Sequence, residues 1–220
     1  MEPKTAITTA LIVAVLFSAG CTGSGGEGGQ YGYQGGGNGG GASIAAIPAG
    51  SLNATEAADI LYLREEEKMA RDAYNYFYGL FGAQVFLNIA GSEQTHMDAV
   101  ATLIERYGLD DPARPNAGEF TNATLQAMYD RLTAEGSASE TAALGVAARI
   151  EETDIVDLQA ATARTDNADA EQVYASLMQG SENHLRAFVR NLGQWGVEYR
   201  PVVLQEEDFK EIIDGGTLSA

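Results

Sequence analysis

The chain has 220 residues, 31 of them acidic against 13 basic, for a formal charge of −18 and a pI near 4.3. An anionic surface of that size repels phosphate backbones, which argues against a nucleic-acid partner, and it disfavours anionic lipid headgroups. One Cys and two His exclude an intrachain disulfide framework, a Cys-ligated zinc or iron–sulfur site and a CxxC redox pair.

The chain begins with a single early positive charge at Lys4, then an apolar run from Ala6 to Ala19. About 14 residues are short for a spanning helix, which needs roughly 20, but suit the h-region of a signal peptide. Residues 1–20 are therefore read as a signal peptide. Ser18-Ala19-Gly20-Cys21 resembles a lipobox, the site where a prokaryotic lipoprotein is cleaved and its Cys lipidated. Ser18 stands where that pattern usually has Leu. The expectation is a lipid anchor at Cys21 that holds the protein on a membrane outside the cytoplasm. Residues 22–50 hold 13 of the 26 glycines and show no apolar periodicity. Such a stretch cannot offset its ordering entropy, so 21–50 is read as a flexible tether with an r.m.s. reach of about 30 Å.

From residue 51 the composition turns to Ala, Leu, Glu and Tyr, and 51–220 is read as the globular domain. A first helix at 55–81 can be capped by Ser51, Asn53 or Thr55. Its stripe runs Ile60, Leu63, Glu67, Ala70, Tyr74, Phe77 and Phe81, in steps of three or four residues. Gly82 breaks it. A second helix at 84–107 carries Phe86, Ile89, Glu93, His96 or Met97, Val100 and Leu103, and ends at Gly108. A long connection, 109–139, contains a short helix at 122–134. Ser139 caps a third long helix at 140–163, with Leu144, Ala147 or Ala148, Glu151, Asp154 or Ile155, and Leu158 on one face. A fourth at 169–193 shows Val173, Leu177, Ser181, His184, Phe188 and Leu192. A last short helix lies near 205–213. The fold class is all-α: four long helices with short, long and short connections make a bundle with one crossover, the connectivity of ferritin-like folds.

Glu67, Glu93, His96, Glu151 and His184 all fall on these apolar stripes. Burying a lone carboxylate costs several kcal/mol, a cost that five residues from four helices can share by coordinating cations. Glu93 and His96 stand at i and i+3 on one face, the Glu-x-x-His spacing of di-iron and di-manganese carboxylate bundles. Carboxylate and imidazole donors suit iron or manganese, and one His on each of two helices supplies one nitrogen per ion. Glu66 shares a face with Leu63, Ala70 and Phe77, Asp154 lies one turn beyond Glu151, and Glu65 reads as a solvated residue. On the fourth helix the pattern fails: Ser181 occupies the position three before His184, and Glu182 is either a displaced ligand or a solvated residue.

The blocks Leu63–Tyr74, Ala90–Met97, Ile150–Ile155 and Gly180–Phe188 resemble a ferritin-like family of archaeal and bacterial proteins catalogued as a domain of unknown function (number 2202), over about 52–213. The stretch from Glu67 to Arg71, with Tyr74 and Phe77, is also similar to the first helix of rubrerythrins, where the Glu is a metal ligand. Glu93 and His96 match the second-helix Glu-x-x-His of those proteins, and His184 matches the fourth-helix His. The resemblance implies two iron or manganese ions. A carboxylate-bridged pair of such ions can act on peroxide, O2 or Fe(II), and with no Cys-rich rubredoxin-like segment in the chain the electrons for a reductase would come from another protein. The competing expectation is a metal-free helical binding or scaffold module at the cell surface.

Overall fold

The structure is a computed structural model and describes residues 44–215. The expected signal peptide, Cys21 and most of the tether lie outside them. Six α-helices follow a 3-10 turn at Ile44–Ala46: α1 (Ala54–Phe81), α2 (Gln84–Tyr107), α3 (Ala123–Gly136), α4 (Glu140–Thr162), α5 (Ala168–Gln194) and α6 (Glu206–Ile213). Among the described residues there is no strand, and no helix is long and apolar enough to cross a membrane.

Local chemistry fixes the boundaries. Of the three capping candidates, Asn53 is the one used: its side chain accepts from Thr55 N and Glu56 N, while Glu56 reaches back to Asn53 N, a reciprocal capping box. Gly82 and Gly108 close α1 and α2 at φ 69° and 64°, left-handed values that favour glycine. Ser139 caps α4 through Ala142 N, as its position predicts.

The hairpin of α1 and α2 packs on the hairpin of α4 and α5, with α1 against α4 and α2 against α5; α3 crosses α1 and α4. Ile60, Leu63, Phe77, Phe86, Leu103, Leu144, Leu158 and Phe188 fill the interior. Phe77, Phe86, Phe188 and Tyr74 form a chain of tilted rings with centroids 5.1–5.9 Å apart.

The charged run on α1 is divided by the helical rotation of about 100° per residue. Arg64, Glu65, Lys68 and Asp72 hold the long crossover. Arg64 clamps Asp111 at 2.9 Å. Glu65 accepts from Thr121 N and Asn122 N. The buried Lys68 reaches Asp72 and the Asn116 carbonyl, and Asp72 accepts from Gly118 N. Glu65 is thus 3% exposed, not the solvated residue expected: it offsets unpaired N–H groups at the start of α3. On α4, Glu152 gathers the N–H groups of Val202, Val203 and Leu204 and the Tyr199 hydroxyl, which anchors the segment leading to α6.

The packed body also reaches back into the stretch read as tether. Ile44 is buried, and Arg106 donates to the carbonyls of Ile44 and Ile47.

Candidate metal centre

The five sequence-predicted residues of the bundle converge at the middle of the four long helices. Glu93 stands between the two imidazoles, with Oε2 2.8 Å from His96 Nδ1 and Oε1 2.8 Å from His184 Nδ1. Each imidazole nitrogen has a second carboxylate on its far side. Glu67 Oε2 lies 3.2 Å from His96 Nδ1, and Glu151 Oε2 lies 3.4 Å from His184 Nδ1. The rings stack with centroids 5.3 Å apart. The order Glu67, His96, Glu93, His184, Glu151 is nearly symmetrical about Glu93, one half from α1 and α2, the other from α4 and α5.

Glu93 Oε1 and His184 Nδ1, although 2.8 Å apart, make no hydrogen bond of good geometry, and Glu67 Oε1 also has no hydrogen-bond partner. Once deprotonated, such closely spaced atoms would offer lone pairs to a shared cation. Ligands about 2.1 Å from an ion lie roughly 3 Å from one another at right angles, the spacing seen here. Glu93, His96 and His184 form a buried triad whose donor atoms all lie within 4.8 Å of one another, and it could hold a metal ion. Carboxylates with imidazoles and no thiolate are donors to several divalent transition metals.

The outer contacts hold these groups in place. Ser92 Oγ lies 2.8 Å from His184 Nε2, which leaves Nδ1 turned inward. The Tyr74 hydroxyl donates to Glu151 Oε1 at 2.5 Å. Of the α1 tyrosines, Tyr74 touches a carboxylate of the centre, Tyr62 reaches Asp157 and Tyr76 pairs with Ser137 near the surface. His96 owes its room to Gly180, where a Cβ would stand 2.3 Å from His96 Nε2. Gly180→Ala is therefore expected to displace the imidazole. A mid-helix Gly-to-Ala change otherwise stabilises by about 1 kcal/mol. Because the displaced imidazole would leave the buried Glu67 and Glu93, the variant should lose thermal stability without metal despite that gain, and bind metal more weakly; unchanged binding in a metal titration would contradict the contact.

Charge in the metal-free centre is shared among protons. Burial raises Glu67 and Glu151, each to about 7, against the lowering pull of the neighbouring imidazole. Burial also opposes ionisation of Glu93, but His184 and His96 outweigh it and hold Glu93 below the usual carboxylate range. Burial lowers both imidazoles, yet their carboxylates prevail. His184 is raised to about 10 by Glu93 and Glu151, and His96 well above its ordinary value by Glu67 and Glu93.

The chain matches the model of the uncharacterized protein domain DUF2202 over residues 56–216. It belongs to this family. It is 43% identical over 173 residues to the uncharacterized protein MJ0754 of Methanocaldococcus jannaschii, covering 78% of this chain and 94% of that protein. A crystal structure of the hypothetical protein MJ0754 superposes with a TM-score of 0.76, at 43% identity, over 79% of this chain and 99% of that one.

Three further acids were left open by the sequence. Asp154 is 5% exposed, accepts a hydrogen bond from Ser181 Oγ through Oδ2, and leaves Oδ1 without a partner. The residue that breaks the fourth-helix pattern thus holds a carboxylate from the facing helix. Glu66 is 1% exposed, and no N–H donates to either oxygen. Glu182 is buried with Oε2 3.9 Å from Arg186, not solvated. Ser181 and Asp154 were visible as separate anomalies; only the packing of α4 on α5 joins them.

Proposed function

We propose that this domain is a ferritin-like dinuclear iron or manganese protein. In this reading it is an oxidoreductase acting on peroxide, O2 or Fe(II), held at the cell surface by a lipid on Cys21. The observation that carries the reading is the division of Glu93, whose two oxygens each approach a different imidazole that has its own outer carboxylate. Glu67 and His96 would hold one ion, Glu151 and His184 the other, with Glu93 bridging. Ser181 is the observation in favour of a metal-free scaffold; against it, Ser181 holds Asp154, whose Oδ1 is left without a hydrogen-bond partner beside the carboxylates of the centre.

A carboxylate-bridged pair of such ions supplies two one-electron redox steps to a bound oxidant. The chain's own residues set the conditions. Ser92 keeps His184 Nδ1 facing inward. Tyr74 fixes Glu151 and holds a hydroxyl proton at the edge of the centre. The burial of all five ligands excludes bulk water and strengthens each charge interaction.

The direct test is peroxide consumption and Fe(II) oxidation by iron- or manganese-loaded protein, with and without an added reductant. Consumption that needs the reductant identifies a peroxide reductase, and consumption without it a catalase-like activity. Loaded protein that does neither, and does not oxidise Fe(II), overturns the redox reading. For the anchor, Cys21→Ser should release protein from the membrane fraction; full retention overturns lipidation at Cys21 as the sole anchor.

A further inference from the structure

The structural acids of this protein each have donors. Glu56 accepts from Asn53 N, Thr165 and Asn167. Glu65, Asp72 and Glu152 accept from backbone N–H groups. Asp169 pairs with Tyr107 and Arg106. Glu66 differs: it is fully buried, no N–H or hydroxyl donates to either oxygen, and the groups facing it are further carboxylates, Asp154, Asp157 and Glu67, with Asp157 close enough to share a proton. The fold gives no return for burying it.

The surroundings of Glu66 connect two places. On the outer side, α1 and α4 enclose a cleft of about 230 Å³, lined by Asp59, Tyr62, Leu63, Asp157, Ala161 and Arg164. On the inner side is the centre. Along α1, Asp59, Tyr62 and Glu66 succeed one another at three or four residues, and along α4 so do Asp157, Asp154 and Glu151. Each step is one helical turn, about 5 Å of rise. Two lines of oxygen donors therefore run from the cleft to the ligands. The one cation lining the cleft, Arg164, is turned to Asp59 by hydrogen bonds of 2.9 and 2.8 Å. Tyr62 OH lies 3.4 Å from Asp157 Oδ2.

We propose that this cleft is the inlet for divalent cations. Asp157 receives the ion at the cleft, and Glu66, with the free oxygen of Asp154, passes it to the centre. The proposal rests on the dinuclear reading above and extends it to the path of loading. A divalent cation in transit is the partner that Glu66 lacks. Acids along a narrow path raise the local cation concentration and the capture rate, while a final site is set by its own ligands.

Rate and endpoint are therefore separable. Metal-free protein is mixed with limiting Co(II) in a stopped-flow instrument, and the visible bands of bound cobalt report both. Glu66→Gln and Asp157→Asn should each slow loading by about tenfold or more and reach the stoichiometry and spectrum of the unaltered protein. Asp157 is half-buried and remote from the ligands, so its variant guards against misfolding at Glu66. Loading of both variants within about twofold of the unaltered rate overturns the inlet and leaves the centre intact. A changed endpoint in Glu66→Gln makes Glu66 a ligand and also overturns the inlet. Absence of cobalt binding in the unaltered protein defeats the dinuclear reading itself.

Discussion

Glu93→Gln is expected to abolish binding at both metal positions, whereas Glu67→Gln and Glu151→Gln each weaken one. The difference follows from geometry. Glu67 approaches only His96, and Glu151 only His184, but the two oxygens of Glu93 are divided between them at 2.8 Å each. An amide keeps one oxygen and turns an NH2 donor toward the other half, where it offers no lone pair to a cation. It also removes a charge that, with Glu67 at His96 and Glu151 at His184, raises both imidazoles in the metal-free protein. Breaking a buried, paired charge costs about 3 kcal/mol, so metal-free Glu93→Gln should unfold at lower urea than the unaltered protein. Metal titration and urea unfolding check the two parts. Retention of either ion at full affinity would remove Glu93 from the bridging position.

The second large effect is on pH dependence. In the metal-free centre, burial raises Glu67 and Glu151 from 4.5 to about 7, so the folded state binds more protons than the unfolded chain across that window. His184 is raised from 6.5 to about 10, against burial, by Glu93 and Glu151. Its contribution is complete below 6.5 and disappears as pH rises through 10. All three lower the stability of the metal-free protein as pH increases. Glu93, held low by the imidazoles against burial, acts oppositely, and only under acid conditions. Metal-free protein should therefore melt at progressively lower temperature from about pH 5 to pH 9. Bound ions take the place of these protons, so the metal-loaded protein should show a much flatter curve and release protons on loading. Melting curves of the two forms with equal slopes would contradict this linkage.

The helical frame was readable because its signals are local. Three- and four-residue spacing of apolar side chains, with Gly82, Gly108 and Ser139 at the ends, places the long helices to within a residue or two of their observed spans. Glu67, Glu93, His96, Glu151 and His184 were readable because each is a polar residue on an otherwise apolar stripe. In the run Glu65-Glu66-Glu67 three adjacent carboxylates go to three different surroundings. Periodicity distinguishes faces of a helix but does not name what covers each face. Glu65 holds the backbone just before α3 across a long connection, Glu66 faces the acids of α4, and Glu67 meets His96 from α2. Glu152 likewise takes its role from a segment some 50 residues away. Ile44 escaped notice because its flanking glycines outweighed one apolar side chain, whereas its burial depends on Arg106 holding the adjoining backbone.

The most direct test of the account is anomalous diffraction at the manganese edge from crystals of manganese-loaded protein. Two peaks about 3.5–4 Å apart are expected, one between Glu67, His96 and Glu93, the other between Glu93, His184 and Glu151. A centre with no peak, or with a single peak and Glu93 bound through one oxygen, would contradict it.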